Sequence, residues 1–241
     1  MKKEIKIVDQ QRGVVRVTTA DERWYFKQSE DPTTKLPVFA AVPSVTWISE
    51  SYPKGIAFYK WLADKGWDES EAIKQAAGDK GSKVHKAIQH VIEGVEVRID
   101  SQYINPTTEQ AEELTVEECE AIVSFVNWKR QTNPTFLLWE KVLVSDAHRV
   151  AGTLDAVYRQ AVDEPNTIRV IDWKTSQYVW PSYELQISAY AKFLLDALAT
   201  GEVIIEGIDL KKPITVMREI LQVGYRRNQH AYKLNSVDDK F

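Results

Sequence analysis

The chain has 241 residues, 44% apolar and 10% aromatic, enough to bury a substantial core; a single domain carrying insertions is expected. Its 31 basic and 35 acidic residues give a formal net charge of -4, which excludes a strongly basic nucleic-acid coat protein and confines any nucleic-acid contact to a local surface. A lone cysteine, Cys119, excludes an intramolecular disulfide and a four-cysteine zinc or iron-sulfur site within one chain, and the apolar runs fall short of the roughly 18 to 20 residues that span a bilayer.

The chain starts Met1-Lys2-Lys3-Glu4-Ile5, with no apolar signal core, and the acids at Glu4 and Asp9 argue against an organelle transit peptide. A soluble protein of a reducing, cytoplasmic compartment with no membrane partner is therefore expected. Residues 4 to 27 alternate well enough, through Ile5 and Ile7, Val14, Val15 and Val17, and Trp24, Tyr25 and Phe26, to predict two or three short strands, an antiparallel flap within residues 1 to 43. From Ser44 the spacing turns helical, with Ile56, Phe58, Tyr59 and Leu62 punctuated by Pro53 and Gly66, and Gly78 to Gly81 is read as a break. A second helix is expected from Ser82 to Glu93, with Val84, Ile88 and Val91 on its apolar stripe and Gly94 as its stop. Residues 95 to 114 read as an irregular surface excursion.

Thr115-x-x-Glu118 is a capping box that opens a helical insertion near 115 to 131, ending before Asn133-Pro134. Strands are predicted at about 136 to 145, 150 to 159 and 168 to 174, then a largely apolar helix at 182 to 199 with Gly201 behind it. The tail from Thr215 to Val237 reads as two strands around a polar turn at Arg226 to His230. From residue 82 onward this order describes an α/β core, a small mixed sheet with helices on its faces.

On a strand, alternation points Asp172 and Lys174 the same way and turns Ile171 and Trp173 into packing. A single Asp-x-Lys triplet is expected about once by chance in a chain this long, so alone it is better explained as an edge-strand ion pair. Asp155 adds weight, because it interrupts the mostly apolar run Ala151-Gly152-Thr153-Leu154-Asp155-Ala156-Val157, where a charge is costly unless paired or metal-bound. A turn near Asp163 to Asn166 lets the two strands pair antiparallel and bring the acids together; a hard cation is the usual remedy for such repulsion. Glu140, sharing a strand face with Leu138 and Val142, is either a third acid or half of an ordinary salt bridge. His85 beside Val84 is either a ligand or a core histidine. Gln186 and Tyr190, four apart, share a helix face, which a polar rim would also explain.

In chain order, Gly81-x-x-x-His85, Glu140, Gly152-x-x-Asp155, Asp172-x-Lys174 and Gln186-x-x-x-Tyr190 resemble the successive motifs of the RecB-type branch of the PD-(D/E)XK nucleases. The likeness covers about residues 44 to 225, and Pro43-Ser44-Val45-Thr46 with the helix behind it is similar to the opening segment of the mitochondrial genome maintenance exonuclease group. The resemblance implies a restriction-endonuclease-like core, with the N-terminal β flap at 1 to 43, a helical segment at 44 to 81 and the nuclease core at 82 to 241. It implies His85, Asp155, Asp172 and the Trp173 carbonyl as ligands of Mg²⁺ or Mn²⁺, with Asp155, Asp172 and Lys174 catalytic. Lys174 would orient or deprotonate the attacking water, and Gln186 with Tyr190 would organise the site or bind the DNA strand. The cysteines of the iron-sulfur members are missing, so no such cluster is expected. Without a helicase or ATP-binding segment, unwinding would fall to a recombinase, helicase or single-strand-binding partner. The expected activity is hydrolysis of DNA from single-stranded ends in recombination, repair or replication, in a bacterium or a phage-infected host, the alternatives being a sequence-specific endonuclease and a silent DNA-binding module.

Overall fold

The computed structural model describes residues 4 to 9, 13 to 18 and 23 to 238. Its centre is a mixed five-stranded sheet built from β7 (Thr135–Ser145), β8 (Val150–Arg159), β9 (Thr167–Lys174), β10 (Thr215–Val223) and β11 (Tyr232–Ser236), in the spatial order β11-β10-β9-β8-β7. Neighbours pair antiparallel except β9 with β10, which run parallel and are joined through helix α5 (Pro181–Ala199). Parallel strands need such a crossover, and Pro181 at the start of α5 supplies a preset helical φ.

Helix α5 covers one face of the sheet, where Ile187, Tyr190, Leu194 and Leu198 pack against Leu154, Val157, Val170 and Ile220. On the other face lie α3 (Trp67–Glu93) and α4 (Val116–Thr132), with Val84, Ile88, Phe125 and Trp128 against Tyr158, Ile171 and Trp173. The alternation predicted for β9 is realised: Ile171 and Trp173 enter the α3/α4 core, and Asp172 and Lys174 turn toward α5. The capping box also forms in full, each partner bonding the other's backbone N–H, and Asn133 ends α4 in the left-handed region at φ 44°.

The N-terminal region is a four-stranded antiparallel sheet of β1 (Glu4–Asp9), β2 (Val14–Thr18), β3 (Arg23–Glu30) and β4 (Pro37–Val42), the last beyond the predicted set. It docks on the β7/β8 side of the central sheet through Val14 and Tyr25, which enclose Ala151. The short helix α1 (Val45–Glu50) follows, capped by Ser44, and puts Val45 into the α5-side core. The solvent-facing helix α2 (Ile56–Lys65) leads to Gly66.

Two expectations fail. Gly78 and Gly81 do not break the chain; α3 runs through both as one 27-residue helix. An interior glycine costs only about 1 kcal/mol, neither position is followed by proline, and burial of Val84, Ala87 and Ile88 fixes the downstream half. Residues 95 to 114 are not wholly irregular either. They hold a small hairpin, β5 (Gln102–Ile104) with β6 (Ala111–Glu113), pinned by Tyr103 and Leu114 in the α3/α4 core. Its strands of three residues are too short to leave a readable alternation.

Candidate metal centre

Pairing between β8 and β9 runs from Tyr158 opposite Arg169 to Ala156 opposite Ile171 and stops there. Beyond that point the strands part, and Asp155 stands in the gap. Its Oδ2 accepts the Trp173 N–H at 3.0 Å, and its Oδ1 lies 3.4 Å from His85 Nδ1. A strand residue projects its N–H and C=O toward the same edge, so the Trp173 carbonyl faces the same gap. His85 reaches it from α3, its ring against that of Trp173 with centroids 6.0 Å apart.

The third acid comes from β7. The pairs Trp139 with Ala156 and Lys141 with Leu154 bracket Glu140 across from Asp155, and Glu140 adopts φ 46°. A left-handed non-glycine residue within a strand is strained by roughly 1 to 3 kcal/mol and is held only by its surroundings. Here it shifts the phase of the side chains. Leu138 and Leu143 both enter the α5-side core although five residues apart, and Val142 turns to the N-terminal sheet. The expectation that Glu140 shares a face with Leu138 and Val142 is therefore wrong, because simple alternation assumes extended backbone at every position. One ligand atom each from His85, Glu140 and Asp155 lies within 4.8 Å of the others.

Asp172 and Lys174 border this cluster. Lys174 Nζ sits 2.8 Å from Asp172 Oδ2, donates to Gln186 Oε1 at 3.3 Å and lies 4.9 Å from the centroid of the Tyr183 ring. Gln186 Nε2 in turn donates to the Tyr190 hydroxyl at 3.3 Å and to Thr46 Oγ1 at 3.4 Å. Both Gln186 and Tyr190 are buried, their polar atoms turned toward Lys174 and α1. Tyr190 also explains Gly152: a Cβ there would stand 2.6 Å from the tyrosine ring, so only glycine lets α5 approach β8 this closely. Asp172 is 1% exposed, yet neither carboxylate oxygen has a hydrogen-bond partner among the described residues, the Lys174 approach being an ion contact outside hydrogen-bonding angles.

These positions set the charges. Burial pushes the Asp172 carboxyl up to about 6, with Asp155 adding to the rise and Lys174 opposing it. Burial also raises Glu140, again with help from Asp155 and against Arg23, His85 and Arg16. At Asp155 the penalty of burial is overcome by His85 and Lys174, and its pKa falls. Burial disfavours the cations of His85 and Lys174, but the acids beside them prevail and raise both. One ammonium and one imidazole thus face three carboxylates in a confined space.

Hard oxygen donors with one imidazole are the donor set of Mg²⁺ or Mn²⁺, and buried acids with unsatisfied oxygens are what such a cation relieves. The residues present fit a divalent metal. Of the residues singled out in the sequence, His85 and Asp155 meet in the cluster, Asp172, Lys174, Gln186 and Tyr190 adjoin it, and Glu140 enters the cluster itself. Sequence patterns gave no notice of Tyr183, Thr153, Arg16 and Arg23. The arginines sit on strands more than 100 residues from β8, and only the docking of two sheets brings them near.

Comparison with curated proteins finds no match. A model of the PD-(D/E)XK nuclease superfamily matches residues 57 to 231, a span that includes α3, β7 to β9 and α5 and so His85, Glu140, Asp155, Asp172, Lys174, Gln186 and Tyr190. The mixed sheet, the paired acids and the lysine two residues after Asp172 are those of a metal-dependent nuclease, and the chain belongs to the PD-(D/E)XK nuclease superfamily.

Proposed function

We propose that the chain is a single-unit Mg²⁺- or Mn²⁺-dependent exonuclease that hydrolyses DNA from single-stranded ends in the cytoplasm of a bacterium or phage-infected host. The observation that carries the metal-dependent reading is the buried Asp172 carboxylate, unsatisfied beside the His85, Glu140 and Asp155 cluster. His85, Asp155, Asp172 and the Trp173 carbonyl would hold the cation, with Glu140 from the facing strand. A bound divalent ion supplies charge to polarise the phosphate and to lower the pKa of a nearby water. Lys174, kept charged by Asp172 and Asp155, donates hydrogen bonds that orient the attacking water and a phosphate oxygen. Gln186 steadies Lys174, and Tyr190 fixes Gln186, so both act on the DNA strand through the lysine.

The preference for ends rests on charge and on aromatic surface. A net charge of -4 argues against a broad basic face that would grip a duplex along its length. Trp47, Tyr52, Tyr59 and Trp67 are exposed along α1, α2 and the start of α3, interleaved with Lys54, Lys60 and Lys65, a surface suited to stacking bases and holding phosphates. Duplex DNA then needs a partner that unwinds or presents a strand. With purified protein and Mg²⁺, linear single-stranded DNA is expected to disappear while the same sequence circularised persists. Equal loss of both would end the exonuclease reading, products of fixed length would favour a sequence-specific endonuclease, and no loss with either metal would leave a silent DNA-binding module.

A further inference from the structure

The N-terminal sheet does more than cover the edge of the core. In β2 and β3, Arg16 pairs directly with Tyr25 and Thr18 with Arg23, so Arg16, Tyr25 and Arg23 share one face. That face meets β8 near the metal centre. The Tyr25 hydroxyl and Thr153 Oγ1 are 2.8 Å apart in a buried contact, and Arg16 donates to the same oxygen at 3.4 Å. Thr153 lies two residues before Asp155. The Nε of Arg16 is buried without a hydrogen-bond partner among the described residues, and Arg23 remains exposed to solvent.

Their placement is selective. Crowding by protein opposes the charge on Arg23, but Glu140, Tyr25 and Asp155 outweigh it, and both arginines act on Glu140 in the opposite direction. Yet neither guanidinium closes an ion pair onto these acids among the described residues. Counter-charge alone would be better served by direct contact. Two guanidiniums held short of the acids, Arg16 with an unsatisfied buried N–H and Arg23 on a residue still exposed at the sheet surface, keep donors that an anion approaching the centre can take. A guanidinium fork matches a phosphate with two parallel hydrogen bonds, which a lysine cannot reproduce.

We propose that Arg16 and Arg23 form a phosphate subsite of the DNA strand, contributed by the N-terminal sheet and facing the metal centre across Thr153. The subsite rests on the nuclease reading above. Arg23 binds the phosphate directly from the solvent side, and Arg16, anchored on Thr153, fixes the inner edge. The subsite takes either an internal phosphodiester or a terminal phosphate, since the same fork serves both.

The test compares wild type, Arg23→Ala, Arg23→Lys and Arg16→Ala on 5′-phosphorylated and 5′-hydroxyl linear single-stranded DNA with Mn²⁺ at several salt concentrations. Arg23→Ala is expected to raise KM about tenfold, with kcat changed far less, and to flatten the dependence of log(kcat/KM) on log salt by about 0.7, the share of one lost phosphate contact on a single strand. Arg23→Lys should restore the salt slope but only part of KM. A slope does not depend on the fraction of molecules folded, so a destabilised Arg16→Ala protein still reports. Loss on both substrates locates an internal phosphate, and loss confined to the phosphorylated one locates the strand end; either supports the subsite. An active wild type with unchanged KM and slope in Arg23→Ala overturns the subsite alone, whereas an inactive wild type overturns the nuclease reading and the subsite with it.

Discussion

The central strands carry two buried charged clusters, one toward each end of β9, and they are built on opposite plans. At the start of the strand, Arg169 makes bidentate contact with Asp163, with N···O distances from 2.7 to 3.0 Å, and reaches Glu219 at 2.6 Å, while Tyr158 donates to the other Glu219 oxygen. Every charge there has a geometrically matched partner, so the cost of burial is answered by hydrogen bonds. At the far end, Asp172 is as deeply buried as Glu219, but its one close partner among the described residues is the Lys174 ammonium at 2.8 Å, which also donates to Gln186. Closed geometry identifies a structural cross-link; unsatisfied geometry at an opening between strands identifies a place that something else must complete.

The sharpest way to break this contrast is to neutralise the open end. Asp172→Asn and Lys174→Ala are each expected to lower DNA cleavage by at least about 10³-fold, equivalent to about 4 kcal/mol in the barrier, and Asp172→Asn to do so without lowering the urea midpoint of unfolding. Burial already pushes the Asp172 carboxyl toward its neutral form, so a neutral isostere there costs the fold little, whereas Lys174→Ala takes the one ammonium from beside a buried acid. Near wild-type turnover in either purified variant would remove these residues from the chemistry, and a collapse in the stability of Asp172→Asn would make the open cluster structural after all.

The closed end should respond in the opposite sense. Arg169→Met strands two buried acids and is expected to lower stability by about 3 to 5 kcal/mol while leaving turnover per folded molecule close to wild type. Hydrogen bonds from Arg169 lower the pKa of Asp163, with burial opposing them. An acid depressed in the folded state contributes stability above its unfolded pKa, near about 4, and that contribution is lost as pH falls through the lower folded value. Urea midpoints of wild type and Arg169→Met should therefore converge on acidification. A constant gap down to strongly acid pH would show that the arginine stabilises by packing instead of by charge.

Between these poles lies Gly152, which joins the open end to α5. Gly152→Ala forces a Cβ against Tyr190, whose hydroxyl holds Gln186 and through it Lys174. A loss of about 1 to 3 kcal/mol in stability is expected, with a larger relative fall in kcat than in DNA affinity. An unchanged kcat would show that Lys174 needs no support from α5.

The two clusters were not equally legible in the sequence. Asp155, Asp172 and Lys174 stand out because charges interrupt apolar strands and a period of two fixes their faces. His85 and Gln186 acquire meaning only in the order of the motifs. Glu140 was visible as an acid, but its left-handed backbone was not, since nothing in Trp139-Glu140-Lys141 encodes it. Arg169, Glu219 and Tyr158 gave no pattern because their meeting depends on the β8-β9-β10 register, and the same holds for Arg16 and Arg23 across two sheets. Helices α4 and α5 and the capping box were readable because their signals lie within a few residues of one another. The misread glycines of α3 show the reverse, a local signal overruled by burial further along the helix.

Those glycines supply the smallest expected effect and a control on the open end. Gly78 lies within α3, exposed, seven residues before His85 and thus about 10 Å along the axis, and a Cβ there meets nothing within 4 Å. With helical backbone already in place, Gly78→Ala removes conformations from the unfolded chain without adding strain, and stability should rise by about 0.5 to 1 kcal/mol. If His85 is presented by packing of the downstream half of α3, through Val84, Ala87 and Ile88, stiffening the helix upstream leaves the Mn²⁺ dependence of cleavage unaltered. If the centre instead relies on bending at Gly78 to bring His85 toward Asp155, the same substitution will raise the thermal midpoint and weaken the response to Mn²⁺ together. A metal titration of the stabilised variant separates the two, because only a helix that must bend ties the gain in stability to a loss of metal binding.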